Sequence, residues 1–416
     1  MISKPETLHV NGRDYAWPRQ PLVVICCDGS EPDYMEIAMA RGFMPNLRGM
    51  IGRGENLRGT SAMPSFTNPN NLSIVTGVAP NVHGISGNYL IDPSTGVETM
   101  MNDPKWLRAP TVFAAFQKAG ARVCVITAKD KLRLLLGHGL TFDGSAVCFS
   151  SEKADVATED SNGIADVCGF VGLPVPEVYS AALSEFVLAA GVKLLQRDRP
   201  DIMYLSTTDY VQHKHAPGSG GANIFYAMMD RHLGRLDAAG ASIIIVADHG
   251  MKDKCRPNGE PDVVYLQDLL DSQLGAGTTR VILPITDPYV VHHGALGSFA
   301  TVYLNGADGE TVIDALSNVE GIDSVLSREE ACDVLELPPD RIGDVVVIAG
   351  GPSQTKVIGT SRARHDLSGL ESPLRSHGGL SEQVIPVISN RRLRNLPERL
   401  RNFDAFYIGC NCVVEA

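Results

Sequence analysis

Four runs of apolar, largely β-branched residues are each followed within two residues by a charged one. They are "PLVVICC" before Asp28, "ARVCVIT" before Ala128 and Lys129, "DIMYLSTT" before Asp209 and "ASIIIVA" before Asp248. Unbroken runs of this kind predict strands buried on both faces, as in a parallel sheet covered by helices. Between them the pattern changes period. In "YSAALSEFVLAAGVKLLQ", Leu183, Phe186, Val187, Ala190 and Leu194 recur at helical spacing and make one apolar stripe. Strand alternating with helix predicts a doubly wound α/β fold, in which ligands collect beyond the carboxyl ends of the strands.

After "DHGMKDK" the pattern shifts. "TRVILPI", "SFATVYL", a helix through Val312, Ala315, Leu316 and Val319, "IDSVLS" and "RIGDVVVIA" predict a compact α+β insertion over 260–371. The chain then returns to "SHGGLSEQVIPVI", so 1–259 and 372–416 are expected to form one core and 260–371 a cap over its active site. The Gly/Ser/Asp-rich stretch 137–166 is expected to be a surface excursion.

Composition narrows the class. A chain of 416 residues, 44% of them apolar, can bury a large core. The formal charge is −12 with acids and bases interspersed, so no basic stripe exists to track a phosphate backbone, and nucleic acid is excluded as an expected partner. The N-terminal stretch is polar and the first apolar run is short, which predicts neither a signal peptide nor a membrane span. Cys26, Cys27 and Cys124 fall inside strand-like runs. The nine cysteines, including the "CNC" at 410–412, are therefore expected to be reduced, structural thiols in a cytoplasmic protein.

Candidate chemistry gathers at the strand ends. Asp28 follows the first strand, Asp209 another, and Asp248 with His249 a third. One sheet rim therefore receives four metal-type ligands. In "DYVQH" a single helical turn would place Asp209 and His213, four apart, on one face where both could hold one ion. His377 in "RSHGG" is a closing candidate, since two glycines let the backbone approach a crowded centre. His215 stands six residues from Asp209 and is the weaker alternative to His213. His292 and His293, with no strand-end carboxylate nearby, are expected to be structural.

The nucleophile candidate is Thr67 in "MPSFTNPNNLSIVTG". Pro69 suits the first turn of a helix, Asn68 or Thr67 its cap, and Gly77 its end. A hydroxyl there meets unpaired backbone N–H groups and the positive end of the helix dipole, which favour an alkoxide and an attached phosphoryl group. The competing use of Thr67 is as a helix cap alone. Asn88 in "HGISGNYL" could donate its amide to a phosphoryl oxygen. In "AKDKL", Lys129 and Lys131, two apart in extended chain, would point the same way and could grip one carboxylate.

Together Asp28, "SFTNP", "DYVQH", "ADHGM" and the late "HGG" resemble the alkaline phosphatase superfamily. Thr67 and "HGISGN" are similar to its nucleotide pyrophosphatase/phosphodiesterase branch, and "SFTNPNNLSIVTG", "AKDKL" and "SHGGLSEQ" to the phosphonoacetate hydrolases. The resemblance runs from about residue 21 to the C-terminus. It implies an alkaline-phosphatase-like α/β core with a central, mostly parallel sheet flanked by helices, plus the smaller α+β cap. It also implies two zinc ions, one held by Asp209, His213 and His377 and the other by Asp28, Asp248, His249 and Thr67. Thr67 would be the nucleophile, forming a phospho-threonine, and Asn88, Lys129 and Lys131 would bind a small phosphonate, hydrolysed to acetate and phosphate. No membrane partner is expected, and a homodimer is compatible with the set. The alternatives are a phosphodiesterase on the same scaffold, sharing the metals and Thr67, and a metal-binding protein without catalysis.

Overall fold

All four apolar runs are strands of one seven-stranded sheet. The computed structural model describes residues 4–286, 295–350, 356–365, 367 and 373–414. Along the chain the main sheet takes β1 (Leu22–Cys26), β2 (Glu55–Thr60), β3 (Val123–Thr127), β4 (Ala146–Ser150), β5 (Ile202–Ser206) and β6 (Ser242–Val246). A second, four-stranded sheet follows, built from β7 (Thr279–Ile282), β8 (Phe299–Leu304), β9 (Ile322–Ser327) and β10 (Val345–Ala349), before β11 (Val384–Ser389) returns to the first. The main order is β2-β11-β6-β1-β5-β3-β4. Neighbours from β6 through β4 are parallel, while β11 runs antiparallel to both β6 and β2.

The register decides where the chemistry lies. Cys26 is level with Val246 and with Ser206, and Ser206 with Thr127. Four strands therefore finish at one height, and the residues two or three positions beyond each end (Asp28, Lys129, Asp209, Asp248) meet at one rim. This is the crevice beyond the carboxyl ends of parallel strands where such sheets bind ligands.

Because side chains alternate across a strand, each strand feeds two cores. Val23, Ile25, Met203, Leu205, Ile243 and Ile245 pack one face under α3 (Ala182–Asp198) and α5 (Gly220–Ala238). Val24, Val125, Tyr204, Ile244 and Val246 pack the other under α1 (Thr67–Thr76), α2 (Asp130–Leu136) and the C-terminal helix Ala405–Asn411. The predicted stripe of α3 is buried throughout. Among the described residues no helix is long and apolar enough to cross a membrane.

Four expectations need correction. The stretch 137–166 contains β4, an edge strand whose short "AVCFS" run is flanked by turn formers that masked it. The helix α1 is capped by Phe66, so Thr67 is its first residue and Pro69 its third; neither Thr67 nor Asn68 caps it, although Gly77 does end it in the left-handed conformation at φ 71°. Lys129 caps α2 and Lys131 lies within its first turn, so the two do not share an extended segment. Val319 falls beyond the helix that carries Val312, Ala315 and Leu316, α6 (Gly309–Ser317). His292 and His293, like the boundary at 371/372, lie outside the described residues.

Candidate active site

The site begins with the turns that follow the strands. Gly29 adopts φ 68°, and a Cβ there would stand 2.9 Å from the Cβ of Asp209, so only glycine lets the loops after β1 and β5 approach this closely. Asp28 N–H donates to Thr207 Oγ1 at 3.0 Å, tying those loops together. Asp209 then opens α4 (Tyr210–Lys214). One helical turn, with His213 N donating to Asp209 O at 3.0 Å, brings His213 Nε2 to 2.9 Å from Asp209 Oδ2. The single-turn reading of "DYVQH" holds.

His377 arrives from the far side of the insertion, its Nε2 3.8 Å from Asp209 Oδ2. Gly378 beside it has φ 118°, and a Cβ there would overlap the Phe66 ring at 2.3 Å. His249 is fully buried, with Nε2 at 3.3 Å from Asp28 Oδ1, 3.6 Å from Asp248 Oδ2 and 3.3 Å from Thr67 Oγ1. Its ring stacks on His377 at 3.6 Å, the planes 7° apart. The 3.3 Å contact with His249 Nε2 sets the Thr67 hydroxyl against the cluster. His215 joins neither ligand group.

Two sets of ligand atoms lie within 4.8 Å of one another, Asp209/His213/His377 and Asp28/Asp209/His249, with Asp209 common to both. The donor chemistry fits cations. His213, His249 and His377 each set Nδ1 against a backbone carbonyl, of Arg375 (2.8 Å), Gly250 (2.9 Å) and Ser65 (2.8 Å). A neutral ring donating from Nδ1 has only a lone pair at Nε2. All three Nε2 atoms nevertheless face carboxylate oxygens, an acceptor-to-acceptor arrangement that a metal ion between them would resolve. Among the described residues no hydrogen bond reaches the buried Oδ1 of Asp28.

The electrostatics point the same way. Burial, then the charges of Asp209 and Asp248, push the Asp28 carboxyl well above the usual carboxylate range. Burial raises Asp248 as well. For Asp209 burial pulls upward but is outweighed by His213, so its carboxyl is held well below that range. Burial and the neighbouring His249 and His213 hold His377 well below an ordinary imidazole. Three carboxylates crowded out of water require positive charge, and neutral imidazoles are the form that binds metal.

Above the cluster a cleft of about 280 Å³ is lined by Asp28, Thr67, Asn88, Asp209, His213 and His377, and also by Lys129 and Lys131. Lys129 Nζ donates to Val178 O at 2.9 Å and sits 5.2 Å from the centre of the Tyr179 ring. Asn88 Oδ1 accepts from Asn68 N at 3.2 Å. Ile285, from the insertion, closes part of the wall.

One contributor escaped the sequence reading. Asn71, buried, donates to Asp248 Oδ2 at 3.1 Å and to Thr67 O at 3.0 Å, while its own oxygen accepts from Tyr204 and Ser206. The available signal was its place four residues after Thr67, on the same helix face.

Comparison with known proteins gives concordant results. The family model for type I phosphodiesterase/nucleotide pyrophosphatase matches residues 22–355. The phosphonoacetate hydrolase of Sinorhizobium meliloti, solved in complex with phosphonoformate and with phosphonoacetate, is 61% identical over 98% of this chain and 99% of that one, with a TM-score of 0.94. Murine ectonucleotide pyrophosphatase/phosphodiesterase 5 shares the fold at a TM-score of 0.64, with 19% identity over 94% of each chain. An uncharacterized pyrophosphatase/phosphodiesterase of Schizosaccharomyces pombe is 26% identical over 262 residues, 60% of this chain; the match spans 48% of that protein's length.

Proposed function

The chain belongs to the type I phosphodiesterase/nucleotide pyrophosphatase family and, within it, stands with the phosphonoacetate hydrolases, and from that premise we propose that it hydrolyses the carbon–phosphorus bond of phosphonoacetate to acetate and phosphate. One observation carries this reading. A single cleft holds the Thr67 hydroxyl, beside a buried Asp/His cluster, together with Lys129 and Lys131. A phosphonate with a carboxylate one carbon away needs both.

Asp209, His213 and His377 would hold one ion, and Asp28, Asp248, His249 and Thr67 Oγ1 a second. Two zinc ions per chain suit these oxygen and nitrogen donors. When bound, such ions supply Lewis-acid stabilisation of charge at phosphorus and lower the pKa of oxygen nucleophiles.

The chain's own residues do the rest. Thr67 Oγ1 forms a bond to phosphorus as the carbon–phosphorus bond breaks, and that electron pair passes to the acetate carbon and into its carboxylate as an enediolate. The Thr67 hydroxyl gives up its proton in this step, and one proton taken from solvent by that carbon balances it and completes acetate. Water then cleaves the phospho-threonine, restoring the hydroxyl and releasing phosphate. Because Asn88 Oδ1 already accepts from the Asn68 N–H, the group it offers a phosphoryl oxygen is its NH₂. Lys129 and Lys131 grip the carboxylate, where charge grows as the bond breaks, so they stabilise the transition state more than the bound substrate.

Residues 260–371 serve as the cap, contributing Ile285 to the cleft wall. Nine free thiols suit a reducing compartment, the cytoplasm, and a homodimer is compatible with this reading. The test is a phosphate-release screen of zinc-loaded protein on phosphonoacetate, phosphonopyruvate, a monoester and a diester. Fastest turnover is expected on phosphonoacetate. Cleavage of the diester with none of phosphonoacetate would install the phosphodiesterase reading instead.

A further inference from the structure

Away from the cleft, Lys254 and Glu382 form an ion pair at 2.9 Å with both side chains fully buried. Desolvating two charges offsets much of their attraction, and well-packed apolar pairs often replace such bridges without loss of stability. The bonds around Glu382 suggest a use other than stability. Its Oε2 accepts from Gly379 N at 2.9 Å, its Oε1 from Lys254 and Ser381, and its backbone carbonyl from Gly250 N at 2.7 Å.

Each of those glycines leads to one of the stacked imidazoles. Gly250 O accepts from His249 Nδ1 at 2.9 Å. Gly379 O accepts from Ser65 Oγ at 2.8 Å, and Ser65 O accepts from His377 Nδ1 at 2.8 Å. The carbonyls that orient His249 and His377 are thus fastened, from two separate loops, to one residue. Ser65 also stands two positions before Thr67. Lys254 neutralises the anchor from a third segment, its backbone N donating to Leu374 O at 2.8 Å just before the strand that leads to His377.

We propose that Glu382, with Lys254 as its buried counter-ion, is a positioning residue that sets the spacing of His249 and His377 and thereby the affinity of the centre for zinc. The inference rests on the metal reading above. A carboxylate suits the role because it takes several donors at once and, once neutralised, stays in place without water. Partners of this kind behind metal ligands typically govern 10- to 100-fold in metal affinity.

The test measures the zinc dissociation constant of metal-free protein by competition with a chromophoric chelator, beside its thermal midpoint. Lys254→Met/Glu382→Leu removes both charges together and leaves no unpaired ion. Its midpoint is expected within a few degrees of wild type, with zinc bound roughly 10- to 100-fold more weakly. Lys254→Met/Glu382→Gln keeps an acceptor for the Gly379 N–H and should bind zinc within about threefold of wild type, a rescue that loss of packing alone would not give. Wild-type affinity in a folded Met/Leu protein would overturn the proposal. Should that protein fail to fold, Ser65→Ala decides: it cuts only the bond to Gly379 O and is expected to weaken zinc about tenfold, and unchanged affinity refutes the anchor. A wild-type chain that takes up no zinc would overturn the metal reading itself, a result distinct from equal binding by every variant.

Discussion

Replacing Lys129 and Lys131 with alanine separates recognition of the carboxylate from chemistry at phosphorus. Both side chains line the cleft that holds Thr67 and both are half-buried at the start of α2, so their removal leaves the two cores intact. A hydrogen bond to a charged group contributes about 1.5–3 kcal/mol. Two of them on a carboxylate whose charge grows in the transition state amount to roughly 3–6 kcal/mol, or about 10²- to 10⁴-fold in kcat/KM at 1.36 kcal/mol per tenfold. Lys129 already donates to Val178 O and packs near Tyr179, so binding substrate exchanges part of an existing interaction. That places the double variant toward the lower end, about 10²- to 10³-fold. The assay compares phosphate release from phosphonoacetate with nitrophenol release from bis(p-nitrophenyl) phosphate, which has no carboxylate to hold. The diester should lose less than about tenfold, and kcat on phosphonoacetate should fall together with the rise in KM. Equal losses on both substrates would refute the reasoning and assign the lysines to the fold or the metal centre.

Three further outcomes are expected. Thr67→Ala should lower turnover by about 10³-fold or more while zinc content stays near wild type; a near-normal rate would mean that water attacks phosphorus directly. Chelation should abolish activity and zinc restore it, with about two ions per chain by metal analysis, and full activity in the metal-free protein would defeat the mechanism. Stability should fall on acidification through His83, a buried ring that accepts from Ile85 N at 3.1 Å, lies 2.8 Å from Ser73 Oγ, and is lowered to about 3, chiefly by burial. The unfolded chain takes up this proton below about pH 6.5 and the folded one only near 3, so stability present at neutral pH is lost as pH falls through that window, by about 2 kcal/mol at pH 5. His83→Asn should flatten the urea-midpoint difference between pH 7 and pH 5, and an unchanged difference would exclude His83 as its source.

What could be read from the chain follows from how locally each feature is encoded. The buried parallel strands were legible because a strand covered on both faces must be apolar throughout, and the ligands because a parallel sheet sends its strand ends to one rim. The edges were not. In β2, "ENLRGT" is half exposed and carries no apolar run, and the buried "AVCFS" of β4 is only five residues long between turn formers. The helix α7 (Arg328–Leu335) did have a local signal, the capping box of Ser327 and Glu330, which the strand-dominated reading passed over. Asn71 had only its place one helical turn after Thr67, and Lys254 and Glu382 had no local signal, since they act on each other across more than a hundred residues.

The same register that gathers the ligands also gathers their repulsion. Asp28 and Asp248 are 5% and 0% exposed, and Asp209 completes the set at the shared corner. Burying charge without compensation opposes folding by several kcal/mol per ion. The chain answers part of this itself: Asn71 donates to Asp248, and the backbone of Gly29 and His249 donates to the other oxygen of that carboxylate. Among the described residues no hydrogen bond satisfies Asp28 Oδ1. A neutral imidazole would not supply it, because the Nδ1 atoms of His213, His249 and His377 face backbone carbonyls and the Nε2 of a neutral ring would present a lone pair. The unspent ligand capacity therefore sits where strand ends, stacked rings and the Thr67 hydroxyl converge. An ion bound there would relieve the carboxylates in the folded state alone, so the geometry that readies the site for phosphoryl chemistry also makes metal binding contribute to folding stability.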